Sequence, residues 1–71
     1  MTDEQKKLLV KLPAKCRENL YAWREEIQSY PPVSAEAKRD EYDARNYLQA
    51  LVDAELIEKR EMNMLLHFIK N

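Results

Sequence analysis

The most regular feature of the sequence is a stripe of apolar residues that ends at two consecutive prolines. Spacings along the stripe alternate between four and three residues, which places its members on one face of a helix. They are Cys16, Leu20, Trp23, Ile27 and Tyr30. Because proline disfavours helical geometry in the residue before it, the helix is predicted to end at Tyr30, ahead of Pro31 and Pro32. Arg17 and Arg24 lie on its predicted solvent side.

A shorter helix is predicted ahead of this one. Thr2 and Gln5 have the spacing of a capping box, in which each side chain bonds the backbone N–H of the other residue. Asp3 suits the positive end of the helix dipole. The helix is expected to run from about Asp3 to Lys11. Pro13 is expected to end this helix, because proline has no backbone N–H donor and fits the start of the next helix.

The second half of the chain predicts two more helices. Ser34 is a good N-cap for the first of them. Its apolar positions are Ala37, Ala44, Tyr47, Leu48, Leu51 and Ala54. If this helix continued with the same periodicity, Glu55 and Glu58 would be buried as unpaired charges, which costs free energy. A second set of apolar residues with helical spacing follows, which does not continue the first. It consists of Met62, Leu65, Leu66 and Ile69. We therefore predict a turn near Glu55–Glu58, and a single helix from Ser34 to Lys70 is the alternative.

Composition favours helices along the whole chain. Glycine is absent from the 71 residues, although the tight turns of β-hairpins and phosphate-binding loops depend on it. Strong helix formers fill most of the length. The expected fold class is all-α, with one domain over residues 1–71. We expect a three- to four-helix bundle in which two long antiparallel helices lie between a short N-terminal and a short C-terminal helix.

The expected class is a soluble, cytoplasmic protein. Cys16 is the only cysteine, so no disulfide can form within a monomer, as disulfides do in many small secreted domains. No apolar run approaches the roughly 20 residues that cross a bilayer, and we expect no secretory leader. A chain this short buries only about 60% of its unfolded surface, and small scaffolds often depend on a partner for stability.

Charge argues against nucleic acid as the main partner. Twelve basic and thirteen acidic side chains give a net charge of −1, whereas nucleic-acid-binding domains carry a basic excess that neutralises phosphates. The last predicted helix nevertheless has a polar and basic edge. Its residues are Lys59, Arg60, Asn63, His67 and Lys70. A helix-turn-helix-like DNA-binding transcriptional regulator that uses this helix is therefore the alternative function.

No set of residues indicates catalysis, and we expect that the protein is not an enzyme. Cys16 and His67 are the only cysteine and histidine, and a thiol on an apolar stripe behaves as a small hydrophobe. They do not form a metal-ligand set, and neither a cofactor nor a small-molecule substrate is expected. The acidic run of Asp40, Glu41 and Asp43 is expected to be a solvated helix surface.

The last helix carries more apolar residues than one core-facing stripe needs. Met64 and Phe68 form a second pair at i,i+4, and Leu56 and Ile57 precede the helix at the turn. Surplus apolar groups indicate an interface, and the alternative is that Met64 and Phe68 pack against the first helix. The leading expectation is a small helical protein–protein interaction module. It would be a bacterial or phage regulator or adaptor that binds another protein, or itself as a homodimer, through these four residues.

A set of short matches to a known family extends over residues 16–70. The matching residues are Cys16, Ser34, Tyr42, Leu48, Gln49, Ala50, Leu51, Phe68, Ile69 and Lys70. On these the chain resembles the haemolysin-expression-modulating family of small helical enterobacterial regulators. The loop with two prolines departs from the pattern of that family. The resemblance implies a helical regulator that binds a nucleoid-structuring protein, and it transfers no functional residue to this chain.

Overall fold

The computed structural model describes all 71 residues and contains four α-helices and no strand. The helices are α1 (Asp3–Lys11), α2 (Ala14–Ser29), α3 (Ala35–Asp53) and α4 (Lys59–Lys70). The all-α prediction is confirmed, with the two long helices in the middle of the chain. The single-helix alternative for the second half is wrong, because α3 and α4 are separate.

Polar side chains cap the first and third helices as the sequence predicts. The Thr2 hydroxyl accepts a hydrogen bond from the Gln5 N–H at 3.1 Å, and the Gln5 side-chain carbonyl oxygen accepts one from the Thr2 N–H at 3.0 Å. The Ser34 hydroxyl accepts from the Ala37 N–H at 3.1 Å. These bonds satisfy donors that would otherwise be left free at a helix start. Pro13 precedes α2 and supplies no side-chain cap.

The turn between α3 and α4 forms without glycine. Glu55 has a φ of 63°, in the left-handed region that glycine usually occupies after a helix. The Leu56 N–H donates to the Leu51 carbonyl at 3.0 Å, and the Glu55 N–H donates to the Val52 carbonyl at 2.9 Å. Because these bonds satisfy the last carbonyls of α3, they hold Glu55 in a conformation that disfavours residues with a Cβ atom.

The core lies where α2, α3 and α4 meet. Its most deeply buried large side chains are Leu20, Leu48, Leu65 and Ile69. α1 covers one side of this core with Leu8 and Leu9, and Leu12 follows from the loop. Of the stripe predicted on α2, Cys16 and Leu20 are buried, while Trp23 and Ile27 are half-buried and pack at the edge. The core thus contains residues from all four helices.

α2 runs antiparallel to α3. The Asn19 side-chain amide donates to the Tyr47 hydroxyl at 3.2 Å, and Glu26 lies beside Asp40 near the loop that joins the two helices. The ring of Trp23 packs against that of Tyr47, with 5.1 Å between the ring centroids. Residues nearer the start of α2 thus lie beside residues nearer the end of α3, as the predicted antiparallel arrangement requires.

Two arginines of α2 cap the ends of other helices. The Arg17 guanidinium donates to the carbonyls of Leu9, Val10 and Leu12 at 3.4, 3.3 and 2.7 Å. The Arg24 guanidinium donates to the Phe68 carbonyl at 2.9 Å. A positive charge at a helix C-terminus is favourable. The prediction that both arginines lie on the solvent side of α2 is therefore corrected, because they tie α1 and α4 to α2.

α3 and α4 form an antiparallel hairpin. The Lys70 ammonium at the end of α4 lies 3.3 Å from the carboxylate of Glu41 on α3. At 1.5 Å per residue, Glu41 is about 18 Å from the end of α3, and Lys70 is about 17 Å from the start of α4. Since these lengths match, α4 runs back along α3 and presents one side of each helix to solvent.

Candidate interaction surface

Two of the four predicted interface residues belong to the core. Ile57 and Phe68 are only 5% and 3% exposed. The Phe68 ring meets the Tyr21 ring edge-on with 5.4 Å between centroids, and the Arg24 guanidinium lies 4.9 Å above the Phe68 centroid. The assignment of Ile57 and Phe68 to an exposed interface is therefore corrected, because folding itself buries the surplus apolar surface of α4.

The other two predicted interface residues keep some exposure but lie in different surroundings. Leu56 is 50% exposed at the α3–α4 turn. Met64 is half-buried at the seam between α1 and α4, where its carbonyl accepts a hydrogen bond from the Gln5 side chain at 3.3 Å. The alternative for Met64, packing against the first helix, agrees with this position. No single patch contains all four predicted residues.

The residues named for the DNA-binding alternative are all exposed on α4. They are Lys59, Arg60, Asn63, His67 and Lys70. Arg60 lies 4.0 Å from the Glu58 carboxylate, and His67 lies 3.2 Å from the Asn71 side-chain amide. A recognition helix projects from its partner helix at a steep angle, whereas α4 lies along α3 and packs on α1 and α2 as well.

The outer side of the α3–α4 hairpin carries a concentration of basic side chains that the sequence pattern does not indicate. We call it the hairpin face. Helical position places on it, from α3 and then α4, Lys38, Glu41, Arg45, Gln49, Val52, Lys59, Asn63, Leu66 and Lys70. Four of these residues are basic and one is acidic, and the Asp53 carboxylate, which accepts a hydrogen bond from Gln49 at 3.1 Å, borders them. The face is therefore positive, although the chain as a whole has a net charge of −1.

Glu41 is the centre of the charge network on the hairpin face. One of its carboxylate oxygens lies 3.8 Å from Arg45 and 3.3 Å from Lys70. All three side chains are partly exposed, so each ion pair contributes about 0–1 kcal/mol. Lys38 and Lys59 have no carboxylate within 4.0 Å. The positive charge of the face exceeds what its own carboxylate neutralises.

Apolar surface accompanies the charge. Val52 and Leu66 are half-buried against the core on the two helices of the hairpin. Tyr42 is 65% exposed on α3 and shares a shallow depression with Lys38 and Arg45. Of these side chains, tyrosine and arginine are enriched in protein interfaces, whereas lysine is depleted there.

Two carboxyl groups lie side by side between α2 and α3, next to the loop with two prolines. They belong to Glu26 and Asp40. One carboxylate oxygen of Asp40 is buried and has no hydrogen-bond partner. Burial, and then the adjacent Glu26 carboxylate, raise the pKa of Asp40 above its usual value. The Tyr30 hydroxyl donates to Glu26 at 3.4 Å. The expectation of a solvated surface is therefore wrong for Asp40, whereas it fits the exposed Asp43.

Replacement of Asp40 by asparagine is expected to stabilise the protein at neutral pH. Because the pKa of Asp40 is raised in the folded state, the folded state binds more protons, and stability falls as pH rises from about 4 through the raised pKa. Asp40→Asn removes that loss, so we expect the variant to melt at a higher temperature than the wild type at pH 7. Thermal unfolding at pH 4 and pH 7 measures it.

Asp43→Asn is the matched control, since Asp43 is exposed on the same helix. We expect it to leave the difference between the two pH values unchanged. A lower melting temperature for Asp40→Asn than for the wild type at pH 7 would contradict the inference that the carboxyl groups of Glu26 and Asp40 repel each other.

Cys16 and His67, the remaining candidate groups, lie in different surroundings. Cys16 is a buried free thiol within the core, and His67 is exposed at the end of α4. No three His, Cys, Asp or Glu side chains lie together in a way that could hold a metal ion. None of the helices has both the length and the apolar character that a bilayer-crossing segment requires.

No protein family, curated protein or solved structure matches this chain. The similarity of residues 16–70 to the haemolysin-expression-modulating family therefore stays a resemblance of short motifs. A function for the chain has to be inferred from the geometry and charge of its surface.

Proposed function

We propose that the protein is a small helical protein–protein interaction module that docks an acidic partner protein on the hairpin face. The observation that carries the proposal is the excess of basic side chains on this face, next to half-buried apolar groups, in a chain of net negative charge. Complementary charge speeds encounter and selects the partner, and the apolar groups supply area that binding removes from water.

Charge elsewhere on the molecule supports a protein partner over duplex DNA. The turn at one end of the hairpin carries Glu55 and Glu58, both exposed, and Asp53 precedes it. A phosphate backbone that extended beyond the hairpin face would meet these carboxylates, whereas a protein of limited size with its own mixed charges would not.

Selection of peptides from a displayed random library tests the proposal. We expect the immobilised wild-type protein to enrich peptides that combine Asp or Glu with apolar residues. Arg45→Glu with Lys59→Glu reverses two charges of the hairpin face, one on each helix, and we expect it to weaken binding of the enriched peptides at least about tenfold. Raising the salt concentration from about 0.05 to 0.5 M should weaken wild-type binding through screening.

Lys6→Glu with Lys7→Glu is the matched control, because both lysines are exposed on α1 and neither belongs to the hairpin face. The control changes the net charge by the same amount, so retained binding shows that position matters. Equal loss in both variants, or enrichment of peptides without acidic residues, contradicts the proposal. A gel shift of duplex DNA that Arg45→Glu with Lys59→Glu abolishes, in the absence of any enriched peptide, would establish the DNA-binding alternative instead.

A further inference from the structure

The surface between α2 and α3 carries the opposite charge to the hairpin face. Helical position places four carboxylates on it, all near the loop with two prolines, and we call this surface the acidic seam. The carboxylates belong to Glu26, Glu36, Asp40 and Asp43. None of the four has a lysine or arginine nitrogen within 4.0 Å. The molecule therefore presents an acidic and a basic surface on the two sides of α3.

The basic residues nearest the acidic seam do not neutralise it. Burial, and then the Glu26 carboxylate, raise the pKa of Asp40 although the charge of Arg39 opposes them. Lys15 lies on the same side of α2, but it precedes Glu26 by 11 residues, which is about 16 Å along a helix. The end of the seam next to the loop is therefore negative.

Two aromatic rings add apolar surface to the acidic seam. Trp23 and Tyr47 are half-buried, with 5.1 Å between their ring centroids. The Asn19 amide donates to the Tyr47 hydroxyl at 3.2 Å and holds that ring in place. Tryptophan and tyrosine are enriched among the residues that dominate binding energy in interfaces. The seam thus combines charge with the kind of apolar group that interfaces use.

Two basic residues of the hairpin face retain donors for a further carboxylate. Lys38 has no carboxylate within 4.0 Å. Arg45 has one contact at 3.8 Å with Glu41, which also pairs with Lys70. Since a guanidinium has five N–H donors, this contact leaves Arg45 able to bind a second carboxylate.

α3 presents its acidic and basic residues with the same spacing. Glu36 and Asp43 are seven residues apart, and so are Lys38 and Arg45, which is about 10.5 Å in each case. The acidic pair precedes the basic pair by two residues, or about 3 Å along the helix and about 200° around it. The two pairs therefore lie on nearly opposite sides of α3, at almost the same height.

We propose that the acidic seam binds the hairpin face of a second copy of this protein. With two copies side by side in the same direction and shifted by about 3 Å, Lys38 of one copy would pair with Glu36 of the next. Arg45 would pair with Asp43 in the same way. This inference rests on the proposed function, because it names another copy of the chain as the acidic partner.

The two surfaces differ, so the contact is head-to-tail. Each copy would bind one neighbour through its hairpin face and another through its acidic seam, and the assembly would extend instead of closing as a two-fold dimer. Exposed ion pairs contribute about 0–1 kcal/mol each. We therefore expect weak and reversible association.

Sedimentation equilibrium of the wild-type protein is the first test. We expect its mean mass to rise between about 0.05 and 2 mM protein in about 0.05 M salt, and to fall towards that of the monomer in about 0.5 M salt through screening. A monomer mass at every concentration in the low salt would overturn the inference.

Two neutralised variants test the direction of the contact. One is Lys38→Gln with Arg45→Gln, and the other is Glu36→Gln with Asp43→Asn. We expect each variant alone to associate at least about tenfold more weakly than the wild type. An equimolar mixture should form a one-to-one complex and nothing larger, because each variant supplies the surface that the other lacks. Circular dichroism establishes that both variants keep the helical fold.

Matched controls change the net charge by the same amounts outside both surfaces. They are Lys6→Gln with Lys7→Gln and Glu18→Gln with Glu25→Gln, all at exposed positions, and we expect both to associate like the wild type. Equal loss in the controls, or a mixture that forms no complex, would overturn the inference. Acidic peptides that bind the hairpin face of a protein that stays monomeric would leave the proposed function standing and remove only this inference.

Discussion

Leu48→Ala is expected to lower the free energy of unfolding by about 2–5 kcal/mol, the range observed for removal of large aliphatic side chains from protein cores. Leu48 is fully buried on α3, and its cluster includes Leu20 of α2 and Leu65 of α4. The cost includes the cavity that remains, because three helices with fixed caps have little freedom to close around it. A chain of this length is expected to have a total stability of about 4–11 kcal/mol, so the change removes a large part of it.

Urea unfolding followed by circular dichroism measures this change as a lower midpoint at similar slope. Leu56→Ala is the matched control, because it makes the same chemical change at a residue that is 50% exposed. We expect the control to stay within about 0.5 kcal/mol of the wild type. Comparable losses for Leu48→Ala and Leu56→Ala would show that the core does not lie where α2, α3 and α4 meet.

Phe68→Ala is expected to destabilise the fold by about 3–5 kcal/mol, the range for removal of a buried aromatic ring. The ring is 3% exposed, contacts Tyr21 edge-on and lies beneath the guanidinium of Arg24. Aromatic pairs and cation–π contacts each contribute about 0.5–1.5 kcal/mol beyond burial. The change therefore removes both packing and two directional contacts that hold α4 to α2.

A double-mutant cycle of Arg24→Met and Phe68→Leu separates the cation–π contact from burial. Met keeps much of the aliphatic stem of Arg24, and Leu keeps the apolar character of Phe68. The hydrogen bond from Arg24 to the backbone carbonyl of residue 68 is lost in both arms that carry Met, so it cancels in the coupling energy. We expect coupling of about 0.5–1 kcal/mol.

The outcome for Phe68→Ala also decides between a core and an interface role for this residue. A core residue lowers the stability of the monomer at every protein concentration. An interface residue would leave the unfolding midpoint unchanged at low concentration and alter the oligomeric state, which light scattering measures. Unchanged stability combined with altered association would return Phe68 to the interface that the sequence pattern indicated.

Helix boundaries in this protein were predictable because local chemistry determines them. Thr2 with Gln5 and Ser34 supply caps within three residues of the donors they satisfy. Pro13 and Pro31 interrupt helices through covalent constraints of their own. The turn at Glu55 was predictable from the loss of phase in the apolar pattern, even though glycine is absent. None of these features requires knowledge of the tertiary structure.

The tertiary contacts of Arg24 and Phe68 were not predictable from the sequence, because they involve residues that are distant along the chain. Arg24 occupies a polar position of the α2 pattern, yet it reaches the end of α4, 44 residues further along the chain. Phe68 lies outside the single apolar stripe predicted for α4, and it is buried because α4 packs on all three other helices. The sequence shows that a position is apolar or charged, but not how many neighbours will cover it.

Helical periodicity, caps and breaks, which act over three or four residues, set the all-α class and the four helices from the sequence alone. The tertiary structure decided which exposed rows lie side by side. Lys38 and Arg45 lie near Lys70 only because α4 folds back along α3, and this antiparallel pairing creates the hairpin face. The physical reason is range: backbone hydrogen bonding within a helix is local, whereas a binding surface joins side chains that are distant in sequence and is set by the burial of the core beneath it.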